Sequence, residues 1–332
     1  MPAGDGRTLA GVHPVVATAV VVVVLLLFVG VGSMLAPTST DPPQRRAVAL
    51  TFDDLPWVTP GGRPLGDAPR RLSALLGALA TVDVPAVGFV NEGQLDRASE
   101  RAARLRMVQI WAGAGHELGN HTHSHRSLNT TPLDELEADV LRGAVEIHAL
   151  AERYDGEVRY FRHPFTHTGP TREIRDAFDA FLSAHGYVVA PFTVENADYL
   201  YNAAYVRALE REDEALAGRL RDLYLEHTTR MFLFFERLSV ETFGREIPQV
   251  LLLHANHLNA DTLPDLLGRL RQRGYRFIPL EAALADPAYG TPDEYVGRFG
   301  PSWLHRWRVG RGLPSKLADE PEPPAWLADL AE

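Results

Sequence analysis

Three short runs carry side chains whose types and spacing suit a metal ion beside a free base. They are Thr51-Phe52-Asp53-Asp54, then Gly119-Asn120-His121-Thr122-His123-Ser124-His125, then Val250-Leu251-Leu252-Leu253-His254. Adjacent carboxylates repel, so two in succession point to a cation or a base role. Taken alone, Asp53-Asp54 reads more plainly as a solvated turn or a helix cap. The second run supplies imidazole densely, and a neutral imidazole is the commonest metal ligand. His121 and His125 are four apart, so one helical turn would aim both rings at one point. A polar loop with incidental histidines is the alternative. With Asp54 the set becomes two histidines and one carboxylate, which leaves a coordination position for water or substrate. Zinc is the default on ligand type, and iron, cobalt or manganese would accept the same donors. The chain has no cysteine, which removes thiolate catalysis and disulfides and leaves His, Asp and Glu as metal donors.

Two further runs add charge at similar places. Tyr160-Phe161-Arg162-His163-Pro164-Phe165 presents a permanently charged guanidinium that can hold a carboxylate in a fork. A surface salt bridge is its plainer reading. Thr193-Val194-Glu195-Asn196-Ala197-Asp198-Tyr199 supplies more carboxylates. His254 follows four apolar residues, and a lone histidine there is more often structural. It becomes a candidate proton donor because the other groups converge on the same face.

Every one of these runs falls just past a predicted strand. Strands are expected at Ala47–Phe52, Ala86–Val90, His116–Asn120, Val158–Arg162, Tyr187–Thr193, Val250–His254 and Arg276–Pro279. Amphipathic helices are expected between them at Asp67–Thr81, Ala98–Gly113, Leu133–Arg153, Thr171–Ala184, Ala204–Val240 and Thr262–Arg273. In the longest, Leu216, Leu220, Leu223, His227, Met231, Phe234 and Leu238 form one stripe. The alternation is that of parallel βαβ units. A (β/α)7-type barrel and an open doubly wound sheet fit it equally, and both place the site at the C-terminal ends of the strands.

At 332 residues, 45% apolar and 23% charged, the chain can bury one substantial core plus tails. A formal charge of −10 argues against nucleic acid, which rewards clustered Lys and Arg. Pro14 to Ala36 is almost wholly apolar and uncharged, and its length favours an uncleaved membrane anchor over a cleaved signal. Either way residues 1–36 address the remainder outside the cytoplasm, as a single-pass membrane protein or a secreted one. Residues 37–44 (PTSTDPPQ) read as a proline-rich linker, 45–285 as the folded domain, and 286–332 as a tail packing on its exterior through Trp303, Trp307 and Trp326.

TFDD, NHTHSH, FRHPF, an Asp-Tyr pair and LLLH, in that order and spacing, resemble the polysaccharide deacetylase family, also called carbohydrate esterase family 4 or the NodB homology domain. The resemblance covers residues 45–285 and implies an irregular barrel of seven or eight strands. It also implies metal-dependent removal of N-acetyl groups from an envelope or extracellular polysaccharide. By matching position, Asp53 would be the general base, and Asp54, His121 and His125 would hold the metal. Thr122 would brace the histidine loop, and Arg162 would hold Asp53. The backbone N–H near Phe165 would help receive the oxyanion. His254 would be the general acid, oriented by Asp198. The chain departs from the family pattern at Tyr199, where tryptophan is usual and a wall of the acyl pocket is implied, and at Phe165, where tyrosine is usual. Two other classes remain in view. One is an amide or imide hydrolase of small molecules, which the export segment disfavours. The other is a non-catalytic glycan-binding relative, which would have no need of paired carboxylates.

Overall fold

The computed structural model describes residues 46–83 and 85–331, so the expected anchor at 1–36 and the linker at 37–44 lie outside the described residues. All seven expected strands form: β1 Ala47–Leu55, β2 Val87–Val90, β3 Glu117–Asn120, β4 Tyr160–Phe161, β5 Val188–Val189, β6 Gln249–His254 and β7 Arg276–Phe277. Every pairing is parallel, in the order β5-β4-β3-β2-β1-β6, with β7 against the start of β1. β1, β2 and most of β6 are buried on both faces, as strands of a parallel sheet covered by helices must be.

The choice between open sheet and barrel, which periodicity leaves undecided, turns on the stretch after β5. There Val194 pairs in parallel with Leu251 of β6, with Thr193 N donating to Val250 O at 2.9 Å and Leu252 N to Val194 O at 2.9 Å. The stretch that follows β5 thereby reaches β6 at the other end of the sheet path, and the parallel strands curve into a half-barrel.

Eleven α-helices are described: α1 Ala68–Leu79, α2 Arg101–Gly113, α3 Leu133–Arg142, α4 Val145–Arg153, α5 Arg172–Ala184, α6 Asp198–Glu210, α7 Glu214–Phe243, α8 His257–Gln272, α9 Leu280–Leu284, α10 Trp303–Gly310 and α11 Trp326–Ala331. Two expected helices are each divided. The expected helix Leu133–Arg153 breaks at Gly143, where a Cβ would lie 2.4 Å from the carbonyl carbon of Thr122 and 2.5 Å from His123 N. Glycine lets the break press against the histidine loop. The expected helix Ala204–Val240 is two helices, because Glu212 turns left-handed at φ 55° and the Asp213 side chain caps α7 by accepting from Leu216 N at 3.0 Å. Its stripe is buried at Leu220, His227, Met231, Phe234 and Leu238. The start of α8 moves back to His257 because Asn256 accepts from Asn259 N at 2.8 Å.

The tail departs from the expectation that it only coats the exterior. Trp303 does pack edge-on against Phe192, and Trp307 against Phe243 and Tyr289. Trp303 to Arg308 are all buried, so that run presents no face to a membrane. Just before α10, however, residues 300–302 turn inward and line the main cleft, and Glu320 joins them. Among the described residues no helix is long and apolar enough to cross a membrane.

Candidate active site

The C-terminal ends of β1, β3, β4 and β6 meet at a cleft of about 520 Å3. Of the ten residues singled out from the sequence, Asp53, Asp54, His121, His125, Phe165, Asp198, Tyr199 and His254 line it, while Arg162 and Thr122 stand behind its wall. Alternation along a strand would send Asp53 and Asp54 to opposite faces. The register against β2 slips between Phe52 and Leu55, and Asp54 adopts φ 60°, so the strand kinks and both carboxylates reach the cleft.

Asp54, His121 and His125 each offer one ligand atom, and the three atoms lie within 4.8 Å of one another. Asp54 Oδ1 is 3.3 Å from His125 Nε2 and 3.7 Å from His121 Nε2. His121 Nδ1 lies 2.7 Å from Arg162 O. A carbonyl only accepts, so Nδ1 carries the proton and the lone pair of the neutral ring is left at Nε2, towards Asp54. Burial, followed by the neighbouring His125, pulls the His121 pKa down to about 3, so the ring is neutral, as a ligand must be. These donors fit a divalent cation with an open coordination position.

The convergence does not come from a helical turn, as the four-residue spacing suggests. Residues 121–127 contain no helix, and Thr122 and His125 take left-handed φ of 64° and 53°. A network holds this backbone. Asn120 Oδ1 accepts from Thr122 N at 2.8 Å, Thr122 Oγ1 from His125 N at 3.0 Å, and Asp139 Oδ2 from Ser124 N at 2.8 Å. Thr122 thus braces the loop. His123, the middle histidine, turns away from the cleft to Asp96 at 3.0 Å.

Asp53 is buried and sits in register with His254 on the adjoining β6. Arg162 Nη1 approaches its carboxylate oxygens at 3.2 and 3.4 Å. The guanidinium is fully buried, donates to Ala190 O and Thr51 Oγ1, and lies 4.6 Å over the Phe89 ring. Burial raises the Asp53 pKa, while Arg162, then His254 and His125, pull it back. A carboxylate in this setting remains a base rather than a spectator anion.

Opposite stands His254, whose Nδ1 is 2.6 Å from Asp198 Oδ1 and whose backbone N donates to Asp198 Oδ2 at 2.8 Å. Asn256 and Asn259 also donate to Asp198, and Asn259 accepts from the Tyr224 hydroxyl at 2.6 Å. This amide shell escaped the sequence reading; its signal was the Asn256–Asn259 pair right after LLLH. Burial disfavours the His254 cation, but Asp198 outweighs it with help from Asp54 and Asp53, and the pKa rises to about 10. Its folded pKa lies above an unfolded value of roughly 6.5. The pair therefore adds stability that is fully present below about pH 6.5 and lost as pH climbs towards the folded value. Asp198→Asn is expected to flatten the decline of the denaturation midpoint between pH 6 and 10 in chelated protein. An unchanged slope would contradict the pairing.

Phe165 lines the cleft with its ring 4.5 Å from His125 and half of its surface exposed, and Tyr199 stands exposed on the far wall. Phe165 and Thr166 form a turn with φ of 55° and 54°, each conformation costing about 1–3 kcal/mol for a side chain with a Cβ. In that turn Thr166 N donates to His163 O and His167 N to Pro164 O, whereas Phe165 N–H has no such partner among the described residues. Glu195 also lines the cleft beside Glu320, and burial together with Glu320 pushes its pKa up. Glu320 itself is anchored by His305 at 2.8 Å. The sequence places Glu195 in a candidate run without a role, and nothing in its pattern joins Glu320 or His305 to the site.

Residues 40–188 match the family described as polysaccharide deacetylase. Among solved structures, the chain is similar to a CE4 family pseudoenzyme from Bacillus anthracis, at 18% identity over 74% of this chain and 67% of that one, with a TM-score of 0.50. A mutant of a CE4 family pseudoenzyme with restored enzymatic activity matches at 19% identity, over 74% and 70% of the two chains, also with a TM-score of 0.50. A peptidoglycan N-acetylglucosamine deacetylase matches at 20% identity, over 73% and 89%, with a TM-score of 0.48. At these identities the first two likenesses bear on the fold.

Proposed function

We propose, from the match of residues 40–188 to the polysaccharide deacetylase family, that this chain hydrolyses N-acetyl groups of an envelope or extracellular polysaccharide with a divalent cation, zinc by ligand type. The observation that carries this reading is Asp53, a buried carboxylate outside the Asp54–His121–His125 cradle, next to Asp54 in the chain and in register with His254 of the His254–Asp198 pair. A cation in that cradle would supply positive charge that polarises an acetamide carbonyl and acidifies a nearby water. Asp53 takes the proton of the attacking water. Arg162 fixes the orientation of that carboxylate and favours its ionised form against the effect of burial. The Phe165 N–H receives negative charge developing on the carbonyl oxygen, a contribution of about 3 kcal/mol in comparable sites. Protonated His254, held by Asp198, gives its proton to the departing sugar amine, without which the C–N bond does not break. Residues 1–36 would place this domain outside the cytoplasm, tethered by the membrane or secreted.

The test is acetate release from peptidoglycan, chitooligosaccharide and an N-acetylated exopolysaccharide, with chelator and with zinc restored. Release from at least one polymer, abolished by chelator, is expected. Turnover of cyclic imides instead, or glycan binding without acetate in the presence of metal, would replace this reading.

A further inference from the structure

We infer that the C-terminal segment 293–306 is a positioning element of the active site, clamping the Phe165–Thr166 turn through Gly300 and Arg306; the inference rests on the deacetylase reading for its kinetic consequence. Two consecutive left-handed residues with side chains do not hold such a turn by local preference. The clamp comes from far along the chain. Thr166 Oγ1 lies 2.6 Å from Gly300 O and 2.7 Å from Phe165 O, so its one proton is shared between the distant and the local carbonyl. Arg306 Nη2 donates to Thr166 O at 2.6 Å, and its Nη1 to Thr168 Oγ1 at 2.7 Å and Asp293 at 3.0 Å. Arg306 is fully buried, with its guanidinium 4.2 Å over the Trp303 ring. The segment is pinned to the half-barrel by Ser302 Oγ donating to Thr193 O at 2.7 Å and Trp303 N to Phe192 O at 3.0 Å.

Gly300 is where the clamp leaves no slack. A Cβ there would lie 1.9 Å from Thr166 Oγ1, 2.4 Å from Phe165 O and 2.7 Å from Thr166 O. The hydroxyl could rotate away, but two backbone oxygens cannot, so the turn itself must move. The three cradle donors lie on other elements, β1 and the loop after β3, and the turn touches them only through the Phe165 ring against His125 at 4.5 Å, while His121 and Asp54 are held elsewhere. Displacing the turn should therefore misplace the Phe165 N–H and spare metal binding.

Gly300→Ala is expected to lower kcat about a hundredfold, the scale of losing one preorganised oxyanion donor, with KM and zinc affinity near wild type. Amide hydrogen exchange in the peptide spanning residues 163–168 should rise, while the α2 peptide stays unchanged. Gly290→Ala, in open space in the same tail, should change none of these. If Gly300→Ala does not fold, Thr166→Ala opens the same clasp without adding an atom and must give the same split. Wild-type kcat and exchange in the variant that folds, or a fall in zinc affinity and α2 protection together, would overturn the inference. Should the unaltered protein release no acetate from any glycan, the deacetylase reading fails, and the exchange comparison still decides whether the segment positions the turn.

Discussion

His121→Ala is expected to lose the cation and turnover together, with zinc affinity reduced well beyond the roughly 10- to 100-fold typical of disturbing a ligand's hydrogen-bond partner. His121 Nε2 is one of three donor atoms in the cradle, and its Nδ1–H is fixed on Arg162 O. Deletion removes a ligand and leaves a buried carbonyl without its donor, a local cost of about 1–3 kcal/mol. Calorimetric titration with zinc and acetate release should fall in step, and added zinc should restore little. A variant that still bound zinc as the wild type does would show that the cradle is not the metal site. The enzymatic reading of the cleft would fall with it.

The strands and the candidate site runs are legible for one reason. Parallel strands buried on both faces are written as short apolar runs, and polar residues at their C-terminal ends stand out against them. β6 is the clearest case, with Val250 to Leu253 buried and His254 at the cleft. Spacing found His121 and His125 but gave the wrong local geometry. The aim of the two rings comes from left-handed φ at Thr122 and His125, held by Asn120 and Asp139. No periodicity encodes that, because the bracing partners belong to the end of β3 and to α3. The divided helices were missed for a related reason. Asp213 and Gly143 act as a cap and as a point of close approach, and apolar spacing runs straight through both. The tail was least legible. Gly300 meets Thr166 across 134 residues of sequence, and Glu320 reaches the cleft after a stretch without repeat or stripe. Contacts of that separation depend on the finished fold, so a pattern that reads a dozen residues at a time registers only that the tryptophans want cover.

Asp53→Asn separates chemistry from metal binding. The substitution keeps the shape of the side chain and an oxygen that can still accept from Arg162, whose Nη1 now lies 3.2 Å from Oδ1. It removes the charge that balances a fully buried guanidinium. Leaving a buried ion without its partner costs about 3–5 kcal/mol in the severest cases. The donations from Arg162 to Ala190 O and Thr51 Oγ1, together with the Phe89 ring beneath it, should keep the loss at the lower end. The denaturation midpoint is therefore expected to drop while the fold survives. Asp54, His121 and His125 are untouched, so zinc affinity should remain. Turnover should fall by about three orders of magnitude, because an amide side chain cannot take a proton from water, and general bases contribute roughly 10²–10⁴-fold. Lowering the temperature to offset lost stability should not recover the rate. Unfolding would silence both readouts at once, whereas loss of the base silences acetate release alone. A variant that bound zinc normally and turned over at the wild-type rate would move the base elsewhere in the cleft, to a carboxylate such as Glu195 that lines it near Asp198.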